Sequence, residues 1–366
     1  MRRITFVICC LAVVAPVGVS SFIHAQEPEN KILPTDARIR TAGRFDASLP
    51  GKLRFAYPGS GMRLRFHGTG MRLAVSADSE KSALTVLIDH GEPSLLLLKP
   101  GENDLTVASN LEEGDHLVEI IKRTETWQGI LTVEGLTLTG AGKLLDPPAA
   151  PARRLLFLGD SVTCGTGVNN NATCTNDLQH PSSDAWNSYG LLLGRRLDAE
   201  THLVCYGGRG VVRDYRGLNE SDGVLNAPQF LHLAIPTDAR DGRVSWEAKN
   251  FQPDGIFISL GTNDMNLEKS KPLDEKTWVA AYVELLRSVR ADYPQAQIFL
   301  TDGAIVTDPL LRRMIEAAAA QFNDARVQVV AGVHHPGSGC NGHPTRAQHE
   351  QMSQEIEPVL RKALGW

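Results

Sequence analysis

Four short segments, far apart in the sequence, carry the residue types that acyl transfer by a serine requires. The segments are Gly159-Asp160-Ser161, Gly207-Gly208-Arg209-Gly210, Gly261-Thr262-Asn263-Asp264 and His343-Pro344. A serine hydroxyl is a weak nucleophile near pH 7 and needs a base, so Ser161 is the candidate nucleophile and His343 the candidate base. The oxyanion that forms needs hydrogen-bond donors. The backbone N–H groups of Ser161 and Gly208 and the side-chain amide of Asn263 are the candidates for that role.

Each of these residues also has a purely structural interpretation. A serine after a strand is a common helix N-cap, and Asn263 fits an Asx turn. Gly208 fits a plain turn, and Gly207 and Gly210 compete with it as N–H donors. Asp264 is expected to accept hydrogen bonds from neighbouring backbone N–H groups rather than to act as a catalytic acid. The G-x-S-x-G motif of the α/β-hydrolases is absent, which disfavours that fold. The order of the four motifs favours the catalytic interpretation.

The base must be chosen from 11 histidines. His334, His335 and His349 are the nearest competitors, and we expect His349 on the surface of the last helix. His343 is favoured because a helix with its own N-terminal signal follows at once: Thr345 and Gln348 fit a capping box. The loop before such a helix holds a side chain in a fixed position.

A third catalytic residue is harder to assign. A carboxylate would orient the imidazole and stabilise its charged form. No Asp or Glu lies within three residues of His343, and the residue three positions before it is Cys340. A backbone carbonyl can accept from Nδ1–H instead. The sequence therefore predicts a Ser161–His343 dyad.

The elements that must position these residues alternate between strands and helices. The apolar run Leu155–Leu158 predicts a strand buried on both faces. Further strands are predicted at His202–Tyr206, Gly255–Leu260, Gln297–Thr301 and Val327–Ala331, and helices at Asp184–Leu197, Leu273–Tyr293, Asp308–Asn323 and Thr345–Leu364. This alternation predicts a parallel sheet between two helical layers. Ligands of such sheets bind beyond the carboxyl ends of the strands, where Ser161, Gly208 and Asn263 all fall.

The first third of the chain has a different pattern. Residues 31–142 alternate apolar and polar side chains in short segments between turns, as in Met62-Arg63-Leu64-Arg65-Phe66. This pattern predicts an antiparallel β-sandwich. Residues 143–153 are rich in proline, which favours a linker, and residues 154–366 form the predicted catalytic domain.

The N-terminus and the cysteines indicate export. Arg2 and Arg3 precede an apolar run and a small-residue site near Ala25, the pattern of a signal peptide over residues 1–25. We therefore expect a secreted or periplasmic protein. Cys164, Cys174, Cys205 and Cys340 remain after cleavage, and four cysteines allow three pairings. Cys164 with Cys174, on one short loop, is the first guess, which leaves Cys205 with Cys340; a zinc site is the weaker alternative because no C-x-x-C spacing is present.

The formal net charge of −5 disfavours nucleic acid and anionic membrane surfaces as partners. Through its four motifs, the chain resembles the SGNH (GDSL-type) hydrolases, which are named after a Ser, a Gly, an Asn and a His. In that pattern the four positions are taken by Ser161, Gly208, Asn263 and His343. More narrowly it resembles carbohydrate esterase family 2, through Gly159-Asp160-Ser161-Val162-Thr163-Cys164-Gly165, Gly208-Arg209-Gly210-Val211-Val212-Arg213 and Gly339-Cys340-Asn341-Gly342-His343-Pro344. SGNH enzymes usually carry Asp three residues before the His, where this chain has Cys340.

The resemblance implies a jelly-roll β-sandwich before a three-layer α/β/α domain. It also implies an O-deacetylase for acetylated oligo- or polysaccharides such as xylan, with no metal or organic cofactor. Two alternatives stay open: an acyl hydrolase for another ester, of lipase or thioesterase type, and a carbohydrate-binding protein without catalysis. Trp127 and Trp186 are candidates for sugar contact, but core packing is favoured for each.

Overall fold

The chain forms an antiparallel β-sandwich followed by a parallel sheet between helices. A computed structural model describes residues 31–169, 182–237, 239–266, 272–331 and 334–366. The predicted signal peptide and Cys174 lie outside these ranges. None of the helices in the described part is long and apolar enough to span a bilayer.

Two sheets make up the sandwich. Strands β1 (Lys31–Ile32), β3 (Leu53–Phe55), β5 (Met71–Ala77), β8 (Gly101–Ala108) and β10 (Leu131–Leu138) form one sheet. Strands β2 (Arg40–Ala42), β4 (Gly61–Gly68), β6 (Ala83–Ile88), β7 (Ser94–Leu97), β9 (Gly114–Lys122) and β11 (Lys143–Leu144) form the other. Every strand pair is antiparallel. The predicted sandwich is therefore confirmed.

The alternation of side chains explains the sandwich core. Met62, Leu64 and Phe66 of β4 are buried while the arginines between them are half-exposed, because successive side chains of a strand point to opposite faces. The inward rows of both sheets meet in one apolar cluster. The segment predicted as a linker begins inside this domain, since Leu144 pairs with Phe66.

The second domain is built on a five-stranded parallel sheet. Its strands are β12 (Arg153–Gly159), β13 (Ala199–Cys205), β16 (Gly255–Ser259), β17 (Gln297–Thr301) and β18 (Val327–Val329), in the spatial order β13-β12-β16-β17-β18. A separate hairpin pairs β14 (Leu233–Ile235) with β15 (Val244–Ser245). The order reverses direction at β12, and such a switch point opens a crevice at the carboxyl end of the sheet.

Helices cover both faces of this sheet. The α-helices are α1 (Ser161–Cys164), α2 (Tyr189–Leu197), α3 (Ala227–Phe230), α4 (Glu275–Asp292), α5 (Pro309–Phe322) and α6 (Arg346–Leu364), with short 3₁₀ turns at Thr126–Gln128, Ala185–Asn187, Glu220–Asp222, Arg240–Gly242, Ala248–Asn250 and Cys340–Gly342. Helices α2 and α6 pack on one face, and α4 and α5 on the other. The α2 helix starts later than predicted because Asp184 bonds to Arg123 and Asn187 instead of capping it.

Buried polar contacts join the sandwich to the catalytic domain. The Arg44 guanidinium donates to the carbonyls of Leu231 (2.6 Å) and Leu233 (2.9 Å). The Tyr57 hydroxyl donates to the carbonyl of Phe230 at 2.7 Å. Arg44 and Tyr57 are both almost fully buried. Because buried polar groups are costly unless paired, these bonds hold the two domains in one arrangement.

Candidate active site

The ends of three neighbouring strands bring the predicted site residues together. In the sheet register, Gly159 of β12 lies beside Cys205 of β13 and Ser259 of β16. The strands therefore end at one level, and the segments that follow them carry Ser161, Gly208 and Asn263. All three line one cleft together with His343. The geometry brings together every residue that was predicted for the site.

Ser161 and His343 are in hydrogen-bond contact. His343 Nε2 lies 2.7 Å from Ser161 Oγ. On the other side of the ring, Nδ1 lies 2.6 Å from the carbonyl oxygen of Cys340. A carbonyl only accepts, so Nδ1 carries the hydrogen and the lone pair of Nε2 faces the serine hydroxyl. Burial lowers the pKa of His343 below its usual range, against an opposing effect of the Cys340 carbonyl.

The loop that carries His343 is tightly folded. The His343 N–H donates to the carbonyl of Cys340 at 3.1 Å, and the His343 carbonyl accepts from the Gly339 N–H at 3.0 Å. Asn341 adopts a left-handed conformation with φ of 53°. A Cβ on Gly337 would collide with the His343 backbone. The predicted capping box of Thr345 and Gln348 is confirmed at the start of α6.

Two backbone N–H groups of cleft-lining residues have no acceptor in the described chain. Ser161 is the first residue of α1, where an N–H has no partner inside the helix. Gly208 has φ of +77°, which a side chain at this position would make costly. Within the residues that the structure describes, no group accepts from the N–H of Ser161 or of Gly208.

The side-chain amide of Asn263 makes one hydrogen bond of normal length and one long hydrogen bond. Nδ2 donates to the carbonyl of Arg209 at 2.9 Å and lies 3.3 Å from Asp160 Oδ2. The first bond fixes the plane of the amide. The second is long for an N–H···O bond, so this hydrogen is available to a stronger acceptor that enters the cleft. Such an exchange suits an oxyanion donor.

Two buried carboxyl groups accept hydrogen bonds from the chain segments that follow Ser161 and Gly208. Asp160 accepts from the Val162 N–H at 3.0 Å as the N-cap of α1. Asp264 accepts from the N–H groups of Val211 (2.8 Å), Val212 (2.9 Å) and Arg213 (3.2 Å), which confirms its predicted structural role. Burial raises the pKa of Asp160 to about 7 and that of Asp264 to about 6.

The cleft has a volume of about 1000 Å³ and is lined by both domains. The sandwich contributes Lys81, Glu125, Trp127 and Gln128. Trp127 is 47 % exposed, so the expectation that it packs in a core is wrong. Its ring lies under the Lys81 ammonium at 4.8 Å. Tyr215, another cleft residue, is also exposed.

Trp186, the other candidate for sugar contact, does not line the cleft that contains Ser161 and His343. It lines a second groove of about 430 Å³, and the Arg195 guanidinium covers its ring at 3.7 Å. The competing histidines also lie away from the serine: His334 contacts Asp302, and His335 contacts Glu355. His349 is fully buried, not on the surface as expected, because its Nδ1 accepts from the Tyr189 N–H and its ring stacks on Tyr189.

The guessed cysteine pairing is wrong. Cys164 is bonded to Cys205, with 5.7 Å between their Cα atoms. Cys164 lies in α1 directly after β12, and Cys205 ends the neighbouring strand β13, so the sheet brings them together. Cys340 is also disulfide-bonded. The first disulfide ties the nucleophile helix to the strand that precedes Gly208.

Glu125 is a cleft residue that was not predicted from the sequence. Its side chain is 2 % exposed and lines the cleft beside Thr166 and Gly207. Burial raises its pKa to about 6. Glu125 belongs to the sandwich, and no spacing within the catalytic domain points to it. The only signal was an acidic residue two positions before a tryptophan in a turn between two predicted strands.

Comparison with known proteins shows what the chain is related to. A family model for the N-terminal region of carbohydrate esterase 2 matches residues 41–148, and the GDSL-like lipase/acylhydrolase model matches residues 157–336. An acetylxylan esterase / glucomannan deacetylase from Cellvibrio japonicus is 33 % identical over 341 residues, covering 92 % of this chain and 91 % of that protein. The chain belongs to carbohydrate esterase family 2. The resemblance inferred from the motifs is confirmed, and this esterase is a carboxylic ester hydrolase.

Solved structures agree with the fold of this family 2 esterase. A family two carbohydrate esterase from Cellvibrio japonicus superposes with a TM-score of 0.84 at 32 % identity, covering 92 % of this chain and 98 % of that one. A family two esterase from Clostridium thermocellum, solved in complex with cellohexaose, gives a TM-score of 0.81 at 27 % identity, with 90 % and 99 % covered. The predicted SGNH-type α/β domain behind a β-sandwich is therefore confirmed.

Proposed function

We propose that this esterase removes O-acetyl groups from plant polysaccharides through a Ser161–His343 dyad and an acetyl-enzyme intermediate. The observation that carries the proposal is the 2.7 Å contact between Ser161 Oγ and His343 Nε2, with Nδ1 bonded to the Cys340 carbonyl. This arrangement prepares the serine for attack. It needs no carboxylate, because the carbonyl already selects the reactive tautomer of the imidazole.

Acylation begins when Ser161 Oγ attacks the acetyl carbonyl carbon. His343 Nε2 takes the hydroxyl proton as the new C–O bond forms. The N–H groups of Ser161 and Gly208 and the amide of Asn263 donate to the oxyanion. His343 Nε2–H then protonates the departing sugar oxygen, and the ester bond to the sugar breaks. The acetyl group remains on Ser161.

Deacylation repeats these roles with water in place of the sugar. His343 Nε2 takes a proton from the water, whose oxygen attacks the acetyl carbonyl carbon. The same donors stabilise the second oxyanion. When the intermediate collapses, the proton returns to Ser161 Oγ and acetate leaves. No cofactor takes part in either half of this proposed reaction.

The acetylated carbohydrate substrate is supported by two observations. Relatives are named acetylxylan esterase / glucomannan deacetylase, and a family two neighbour was solved with cellohexaose. In this chain the cleft presents two exposed aromatic side chains, Trp127 and Tyr215. Sugar rings bind such faces through their apolar C–H surfaces. We assign the sugar chain to the part of the cleft that these side chains border.

Export is part of the proposal. The signal-peptide pattern of residues 1–25 supports it. The disulfide between Cys164 and Cys205 also supports it, because disulfides persist in oxidising compartments such as the periplasm and the extracellular space. N-terminal sequencing of the mature protein from culture fluid or periplasm tests this part. An intact Met1 on the mature protein would contradict it.

The decisive experiment measures acetate release from acetylated xylan, acetylated glucomannan and a small aryl acetate. Wild type should release acetate from all three, and Ser161→Ala from none. Unchanged turnover by Ser161→Ala would refute the serine mechanism. Turnover of the aryl acetate and of longer acyl esters, without turnover of either polysaccharide, would favour a lipase- or thioesterase-type enzyme. Binding of the polysaccharides without any turnover would favour a carbohydrate-binding protein.

A further inference from the structure

One loop of the sandwich reaches into the active site. It connects β9 to β10 and comprises residues 123–128, here called the cleft loop. Its base is fixed by Lys122, which is fully buried and donates from Nζ to the carbonyls of Thr124 (2.6 Å) and Glu125 (2.7 Å). The Glu125 N–H donates to the side chain of Gln128 at 2.7 Å, as part of a capping box. The loop is therefore rigid.

The cleft loop is bonded to the catalytic domain at Glu125 and Thr126, in addition to the Arg123–Asp184 ion pair. The Thr126 hydroxyl donates to the carbonyl of Cys205 at 2.6 Å, at the end of β13. The carboxyl group of Glu125 accepts from the Thr166 hydroxyl. Thr166 in turn donates its N–H to the carbonyl of Ser161 at 3.0 Å. One chain of hydrogen bonds thus runs from Glu125 to the backbone of the nucleophile.

The other oxygen of the same carboxyl packs on the oxyanion loop. A Cβ on Gly207 would collide with Glu125 Oε2, so the carboxyl group occupies the space that a side chain would fill. Gly207 directly precedes Gly208, the candidate oxyanion donor. Gly208 itself is restrained by the bond from the Tyr215 N–H to its carbonyl, at 2.9 Å.

We propose that Glu125 is a positioning residue for the oxyanion hole, contributed by the sandwich domain to the catalytic domain. Its carboxyl group sets the distance between the nucleophile turn, through Thr166, and the Gly208 turn, through Gly207. This inference rests on the proposed serine esterase mechanism. Under it, the sandwich is part of the catalytic apparatus and not only a support or a sugar-binding module.

The cost of burying Glu125 favours a functional role. A carboxyl group that is 2 % exposed loses its hydration, and burial raises its pKa to about 6 although Thr166 and Lys122 act in the opposite direction. The domains are already joined by Arg44 and Tyr57, neither of which lines the cleft. Costly polar groups that stability does not require concentrate at functional sites.

The test compares Glu125→Ala with wild type on a small aryl acetate, which does not depend on polysaccharide binding. A misplacement of about 1 Å can cost about 100-fold in rate, so we expect kcat to fall roughly 10- to 100-fold while KM stays within about threefold. Phenylboronic acid provides a second readout, because its tetrahedral adduct with Ser161 occupies the oxyanion hole. Its inhibition constant should weaken by a similar factor, whereas inhibition by the product phenol should not change.

Two milder variants and a control complete the design. Glu125→Gln keeps an acceptor for Thr166 and should lose less activity than Glu125→Ala. Thr166→Val removes the other partner, and its effect should not add to that of Glu125→Ala, because both break one bond. Tyr57→Phe is the matched control, since it removes one buried interdomain hydrogen bond made by a residue that does not line the cleft, and it should leave kcat unchanged. If Glu125→Ala does not fold, Glu125→Gln and Thr166→Val decide the question.

The inference is overturned if Glu125→Ala, or the milder variants in its place, turn over the aryl acetate and bind the boronate like wild type. It is also overturned if Tyr57→Phe loses as much kcat as the Glu125 variants, because the effect would then be a general weakening of the interface. A wild-type protein that does not hydrolyse the aryl acetate and does not bind the boronate would refute the proposed function itself. That outcome differs from a failure of the Glu125 variants alone.

Discussion

Replacing Trp127 with alanine should weaken the binding of acetylated polysaccharide without slowing the chemical step. Trp127 is the exposed aromatic face that the sandwich presents to the cleft. In the described part of the chain, no hydrogen bond joins Trp127 to Ser161 or His343. Binding and catalysis should therefore separate in this variant, which makes it a sharp test of where the sugar chain lies.

The expected magnitude follows from the exposed area. Trp127 is 47 % exposed, and with roughly 250 Å² for a full side chain this leaves about 120 Å² in solvent. A sugar ring on one face covers roughly half of it, about 60 Å², and at about 25 cal/mol per Å² the contact is worth about 1.5 kcal/mol. That corresponds to about a tenfold change in affinity. KM for acetylated glucomannan or xylan should rise by about that factor.

The assay compares kcat and KM on polysaccharide with those on a small aryl acetate. Trp127→Ala should raise KM only for the polysaccharide, and Trp127→Phe should retain part of the affinity. Leu33→Ala is the control, because Leu33 is 49 % exposed but does not line the cleft. Equal KM values for wild type and Trp127→Ala on every polysaccharide tested would refute the assignment. So would a loss of kcat on the aryl acetate, which would place Trp127 in the catalytic apparatus.

Two further predictions concern the chemistry. Asn263→Ala should lower kcat on the aryl acetate by about 100- to 1000-fold with little change in KM, because it removes one oxyanion donor; wild-type kcat in this variant would exclude Asn263 from the hole. The pH dependence follows from His343, which must be neutral to act as a base. Burial lowers its pKa from 6.5, so the acid midpoint of kcat/KM should lie below pH 6.5; an acid midpoint above 6.5 would contradict this.

The sequence predicted the parallel domain well because its signals are local. Helix α5 begins and ends within one residue of the prediction, since Asp308 caps it and Asn323 takes the left-handed conformation at its end. Strands β1, β2, β3, β7 and β11 of the sandwich and the β14–β15 hairpin were not predicted. Each of these strands has only two to four residues, and the partner strand rather than its own pattern determines it.

The disulfide and Glu125 show what local patterns cannot reveal. The guessed pair, Cys164 with Cys174, relied on nearness in sequence. The observed partner of Cys164 is Cys205, which is near only because β12 and β13 are neighbours in the sheet. Glu125 is similar, because it approaches Thr166 and Gly207 only after two domains have docked. Contacts between elements that are far apart in sequence can be recognised only in the tertiary structure. Ser161 and His343 are also far apart, but each lies in a short motif that the sequence itself shows.

Among the described residues no carboxylate is bonded to His343, so the electrostatic work of the site is divided differently from that of a triad. In a triad the carboxylate both selects the tautomer of the imidazole and stabilises its positive charge. Here the Cys340 carbonyl performs the first task at 2.6 Å, while its dipole supplies only part of the second. The buried carboxyl groups instead lie on the oxyanion side, where Asp160, Asp264 and Glu125 hold backbone and side-chain donors. Full negative charge there would oppose the oxyanion, but burial raises the pKa of each toward neutrality. Near pH 7 Asp160 is therefore about half protonated and repels the oxyanion less than an ionised carboxylate would, whereas Glu125 and Asp264, each with a pKa of about 6, stay mostly ionised and act as hydrogen-bond acceptors.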